Sequence, residues 1–141
     1  MWTFICLVLC SIQLSKSKPD WRDYIPNGYN VPNPCQYPRK WNAVGHYHPD
    51  HHTRIKNRFG LDFVRVGQQW TNQLCRNDSD HDGKSNGEEL GDPNCVWMEG
   101  GPEPHLPLGH PGICEPVGSE NCLHHQGFHC DCMDNCPDLK S

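Results

Sequence analysis

At 141 residues, 35% of them hydrophobic, the chain has room for one domain with a small core and hardly for two. A formal net charge of −5 argues against a nucleic-acid partner, which needs a basic face. Thirteen glycines, thirteen prolines and ten cysteines imply a loop-rich fold that leans on disulfides, each worth roughly 2–4 kcal/mol.

In chain order, residues 1–17 read as a secretory signal peptide. Met1 to Leu14 is apolar and carries no acidic residue, and Ser15-Lys16-Ser17 follows as a small-x-small cleavage pattern. The apolar run is too short to span a bilayer. No later segment is apolar enough to do so, and the mature protein is expected to be secreted, with no membrane attachment. Removal of the leader takes Cys6 and Cys10 and leaves Cys35, Cys75, Cys95, Cys114, Cys122, Cys130, Cys132 and Cys136. An even number in a short exported chain implies a disulfide framework, whose pairing the sequence alone leaves open.

From Lys18 to Cys35 the chain is rich in Pro and Asn, which favours turns and extended pieces. A histidine cluster follows: His46, His48, His51 and His52. It reads as a polar surface loop, with zinc or copper ligation as the second reading. Residues 61–75 are the best helix candidate, because Phe63, Val66, Trp70 and Leu74 recur at helical spacing. After the acidic loop at 78–89, Glu88-Glu89-Leu90 suits one helical turn, stopped by Gly91-Asp92-Pro93. Residues 99–111 form a Gly/Pro-rich connector. From Glu115 to Ser141 the composition shifts to His and Cys, as in an appended tail, where export favours disulfides over zinc.

The strongest chemical signal is the acidic loop, Asp78 to Glu89, which fits the twelve-residue calcium loop of an EF-hand. Asp78, Asp80 and Asp82 stand at positions 1, 3 and 5. Gly83 permits the sharp turn, Lys84 offers its carbonyl, Asn86 ligates directly or through water, and Glu89 is bidentate. Calcium is a hard cation that takes six to eight oxygens. Ser85 stands at position 8, where a paired EF-hand carries an apolar bridge to its twin, and the chain has no twin loop. The site therefore reads as a lone extracellular loop, structural rather than switching. Cys75 precedes it and Cys95 follows it, and a bond between them would clip it closed. The sequon Asn77-Asp78-Ser79 overlaps the first ligand. Among the tryptophans, Trp97, set among Gly and Pro, is the best candidate for an exposed contact. No Gly-x-Ser-x-Gly, P-loop or His-Glu-x-x-His motif is present, and the chain is not expected to be an enzyme.

Several segments resemble the temptin family of secreted, water-borne mollusc pheromone proteins: YIPNG at Tyr24–Gly28, VPNPC at Val31–Cys35, VGH at Val44–His46, NRFGLDF at Asn57–Phe63, WTNQLC at Trp70–Cys75, DSDHDGKSNGEELGDPNCVW at Asp78–Trp97 and HPGIC at His110–Cys114. Together they place a temptin-like domain at 18–114. The resemblance implies an EGF-like module with two disulfides. It pairs Cys75 with Cys95 and Cys35 with Cys114, with Cys122 as the rival, and leaves Cys122, Cys130, Cys132 and Cys136 to pair among themselves. It also implies action with a protein partner, an attractin-like pheromone or a receptor, in attraction and mating.

The expected fold is thus small, disulfide-rich and loop-rich α+β, EGF-like or irregular, with one short helix leading into a single EF-hand-like calcium loop. The expected function is secreted, calcium-binding signalling by protein–protein contact. The alternative is a structural calcium-binding protein of an extracellular or shell matrix.

Overall fold

Asn57 organises the first half of the chain. Its side chain is fully buried. Oδ1 accepts the Gly60 N–H at 2.9 Å and so caps the following helix, while Nδ2 donates to the carbonyls of Val44 and His46 at 2.8 and 3.1 Å. One residue thereby ties a helix start to an upstream turn. The computed structural model describes residues 18–141; the signal-peptide reading of residues 1–17, with Cys6 and Cys10, lies outside the described residues.

Helix α1, Arg58–Arg65, buries Phe59 and Phe63, and Trp21 meets Phe63 edge-on at 6.2 Å. The turn can touch the helix because both contact residues lack side chains: a Cβ on Gly45 would stand 3.0 Å from Gly60 Cα. The single helix expected over 61–75 is instead two. Gly67 and Gln68 both take positive φ, 82° and 61°, which an α-helix cannot continue through. Thr71 then caps α2, Asn72–Arg76, its hydroxyl accepting the Leu74 N–H at 3.1 Å. Phe63 and Leu74 still reach the core, with Val66 and Trp70 packed at its margin.

Helix α3, Asn86–Glu89, opens on a capping box between Ser85 and Glu88. It closes before Gly91, whose φ is 80°. Helix α4, Glu120–His125, is capped by Ser119. Among the described residues there is no strand, only isolated antiparallel bridges at Pro32–Lys40 and His46–Lys56. Of the expected α+β fold, EGF-like or irregular, the β half is therefore corrected, and the irregular form with short helices is what the described residues adopt. The Pro/Asn-rich stretch satisfies its backbone locally: the Asn33 carboxamide oxygen accepts the N–H groups of Cys35 and Gln36 at 2.9 and 3.1 Å. Such a side-chain turn competes with a ladder, and proline has no N–H to give one.

The core gathers Val31, Trp41, Tyr47, Phe59, Leu74, Leu90, Ile113 and Phe128. Residues 115–141 share it. Phe128 packs on Trp41 and Tyr47, with ring centroids at 6.1 and 5.8 Å. The buried Gln126 accepts from Cys114 N at 3.1 Å and donates to the Gly112 carbonyl at 2.8 Å.

Four disulfides complete the scaffold: Cys35–Cys130, Cys75–Cys95, Cys114–Cys122 and Cys132–Cys136. The expected Cys35–Cys114 bridge is corrected, and the tail cysteines do not pair only among themselves. Phe128 carries its segment onto the Trp41 face and brings Cys130 to Cys35, while α4 turns Cys122 back onto Cys114. Among the described residues no helix is long and apolar enough to cross a membrane.

Candidate metal centre

The acidic loop follows α2 and ends in α3, which forms its last four residues. Its flanks are bonded by Cys75–Cys95. It is pinned to α1 by Asp62, whose Oδ2 accepts from Ser79 Oγ and Asn77 Nδ2, both at 2.8 Å. The Asn77 amide nitrogen is thus engaged and Ser79 is buried, so the sequon is folded into the loop. His81 and Gly83 take positive φ, 64° and 96°, and curl the chain so that three carboxylates converge. One ligand atom each from Asp78, Asp80 and Asp82 lie within 4.8 Å of one another.

Within this curl Asp78 accepts the N–H groups of Asp82 and Gly83 at 3.2 and 2.9 Å. Asp82 accepts the Lys84 N–H at 2.9 Å and faces Lys84 Nζ at 3.3 Å. Asp80 and Glu89 are different. They are 1% and 0% exposed, and Asp80 Oδ2 and both oxygens of Glu89 have no hydrogen-bond partner. Burying a carboxylate without partners costs several kcal/mol unless a cation or a proton compensates. Burial therefore pushes the Asp80 carboxyl far above the usual range, with the negative charges of Asp82 and Asp78 adding to it. Burial also raises Glu89, followed by Asp80, Asp82 and Glu115. The donor set is all oxygen and strongly anionic, which fits a hard divalent cation.

Asn86, expected among the ligands, has another task. Its Nδ2 donates to the Leu74 carbonyl at 2.7 Å and to Ser79 Oγ at 2.9 Å, and its Oδ1 accepts from Ser79 N at 3.3 Å. Its carboxamide is a buried strut between α2 and the loop. Sequence reasoning missed Glu115, a half-buried carboxylate that accepts the His110 N–H at 3.1 Å, feels the charges of Lys84 and Asp82 and lies outside the twelve-residue motif. It also missed Asp92, which accepts from Trp70 Nε1, Val96 N and Trp97 N between 2.9 and 3.2 Å.

That last pair of bonds corrects the reading of Trp97. Asp92 draws its backbone inward, and the side chain is 9% exposed, part of the interior and not an outward anchor. The exposed side chains are its neighbours Val96 and Met98, at 69% and 76%. The four histidines form two stacked pairs, His46 on His52 at 4.9 Å and His48 on His51 at 4.2 Å. They do not join the three-ligand group that Asp78, Asp80 and Asp82 make among the described residues.

Four disulfides, short helices and a clipped acidic loop define a small cystine-stapled protein built around its loops. A family model described as Temptin C-terminal matches residues 15–113. Temptin of Aplysia californica is 47% identical over 113 residues, covering 79% of this chain and 88% of that relative. No solved structure matches. The chain belongs to the temptin family.

Proposed function

We propose that this chain is a secreted, calcium-binding signalling protein, a temptin-like component of a water-borne pheromone complex that promotes attraction and mating by protein–protein binding. Calcium is bound by Asp78, Asp80, Asp82 and Glu89 with the Lys84 carbonyl, and Asn86 braces the loop from behind. The observation that carries the calcium reading is the pair of buried carboxylates, Asp80 and Glu89, with three unpartnered oxygens. The ion is structural: it neutralises charge that otherwise opposes folding.

The signalling role is supported by family membership. The exposed apolar side chains Val96, Met98, Leu106 and Leu108 support recognition without catalysis, because such side chains serve a contact better than a solvated coat. The partner is an attractin-like pheromone or a receptor, met outside the cell, where disulfides persist.

Calorimetry with millimolar calcium tests the metal. Heat from the unsubstituted protein that Glu89→Gln removes is the expected result, and no heat from the unsubstituted protein refutes it. Recovery of the protein dissolved in the surrounding water, and not from mantle or epithelial matrix, separates signalling from a structural coat.

A further inference from the structure

We propose that Glu115 supplies a carboxylate to the calcium site from outside the twelve-residue loop, held in place by the ring that Cys114–Cys122 closes. The inference rests on the calcium reading above and extends its ligand set into the segment beyond the family match, which ends at residue 113.

The geometry is fixed by Gly109. A Cβ at that position would stand 2.8 Å from Glu89 Oε1 and 3.4 Å from Glu115 Oε1. The sum of those distances, 6.2 Å, is the most that can separate the two carboxylate oxygens. Two oxygens on one calcium ion lie at most about 5 Å apart, since each is about 2.3–2.6 Å from the metal. The upper bound on their separation is thus within roughly 1 Å of that limit. Glu115 Oε1 accepts one bond, from His110 N at 3.1 Å. Across from it Glu89 is fully buried, with neither oxygen bonded. The cluster is therefore more than a set of neighbouring acids: it contains a buried carboxylate whose two oxygens have no hydrogen-bond partner.

The ring between Cys114 and Cys122 grips the loop at a second point. Asn121 Nδ2 donates to the His81 carbonyl at 2.9 Å, and the His81 ring lies 5.1 Å from that of His125 on α4. Glu115 and Asn121 both belong to the ring, whose cysteines are 8 positions apart. Such a short closed ring has little freedom to withdraw one anchor while keeping the other. The ring thus presents Glu115 to the site preorganised, which lowers the ordering cost of an extra ligand.

The test is calcium titration of the full disulfide-bonded protein by calorimetry, alongside Glu115→Gln, Glu89→Gln and the ring-opened double variant Cys114→Ser/Cys122→Ser. Glu115→Gln keeps an oxygen for His110 N but removes the charge. It should weaken calcium binding about tenfold while leaving the melting temperature in chelator no lower than that of the parent. The ring-opened protein should lose affinity to a similar extent. In the unsubstituted protein, calcium should shift the Glu115 side-chain carboxyl carbon resonance together with that of Glu89, a readout that needs no variant to fold. Parent-like affinity in Glu115→Gln, or a Glu115 resonance that calcium does not move, overturns the proposal while the loop reading stands. No calcium binding by the unsubstituted protein overturns both.

Discussion

Gly109 and Glu89 meet through backbone and side chain at once. The Gly109 N–H donates to the Glu89 carbonyl at 3.3 Å, and a Cβ on Gly109 would stand 2.8 Å from Glu89 Oε1. Gly109→Ala should therefore displace the Glu89 carboxylate, since real Cβ atoms do not approach that closely. We expect calcium affinity to fall about tenfold, the size of effect a ligand-supporting residue carries at other metal sites. Calorimetry reads the loss, and circular dichroism checks that the helices persist. Unchanged affinity would mean that the Glu89 side chain can swing aside at no cost to binding.

Trp97 and its neighbours should behave in opposite ways. Trp97→Ala empties a buried site and is expected to cost about 3 kcal/mol in urea unfolding. Val96→Asp and Met98→Asp alter exposed side chains and should shift stability by no more than about 0.5 kcal/mol. If this strip is the contact surface, those two changes should weaken binding of an attractin-like partner by about 2 kcal/mol. A stable Trp97→Ala protein would argue that the indole contributes little packing.

The disulfides should differ in worth. Cys35 and Cys130 are 95 positions apart, and Cys132 and Cys136 are 4 apart. On the chain-entropy account, removing the first costs about 4.7 kcal/mol and removing the second about 2 kcal/mol. Paired Cys→Ser variants and thermal unfolding measure the gap. Non-reducing peptide mapping should recover Cys35 with Cys130 and Cys114 with Cys122. A Cys35–Cys114 peptide would contradict the arrangement.

His110 should make stability sensitive to acid. The side chain is fully buried, edge-on to Trp41 at 4.9 Å, with Nδ1 accepting from Gly112 N at 3.0 Å. Burial holds its pKa down at about 3, against an ordinary 6.5. The unfolded chain therefore takes up the proton first. The stabilising contribution is complete above about pH 6.5 and is lost as pH falls toward 3, by up to about 1.4 kcal/mol per pH unit. Urea unfolding in chelator between pH 6 and pH 4 should show this extra slope in the parent and not in His110→Phe. Equal slopes would show that the imidazole is reached by solvent before unfolding.

Two kinds of information separate in this protein. What is local in the chain was legible in sequence: the acidic curl that gathers Asp78, Asp80 and Asp82, the helical turn at Glu88-Glu89, and the temptin-like segments. Turn residues and the alternation of carboxylates act over a few bonds, so their pattern survives without tertiary context. The run from Leu61 to Cys75 misled because helical periodicity is blind to the backbone, and Gly67 and Gln68 both turn left-handed there. Only the tertiary structure decided that Cys35 meets Cys130, that Trp97 faces inward, that Asn86 is a strut, and that Glu115 stands near Glu89. Each of these depends on contacts between residues far apart in sequence or on which way a side chain is drawn into the core. Such placements follow from packing Phe128 against Trp41 and gathering backbone N–H groups at Asp92, and packing is a property of the assembled volume that no short window of sequence encodes.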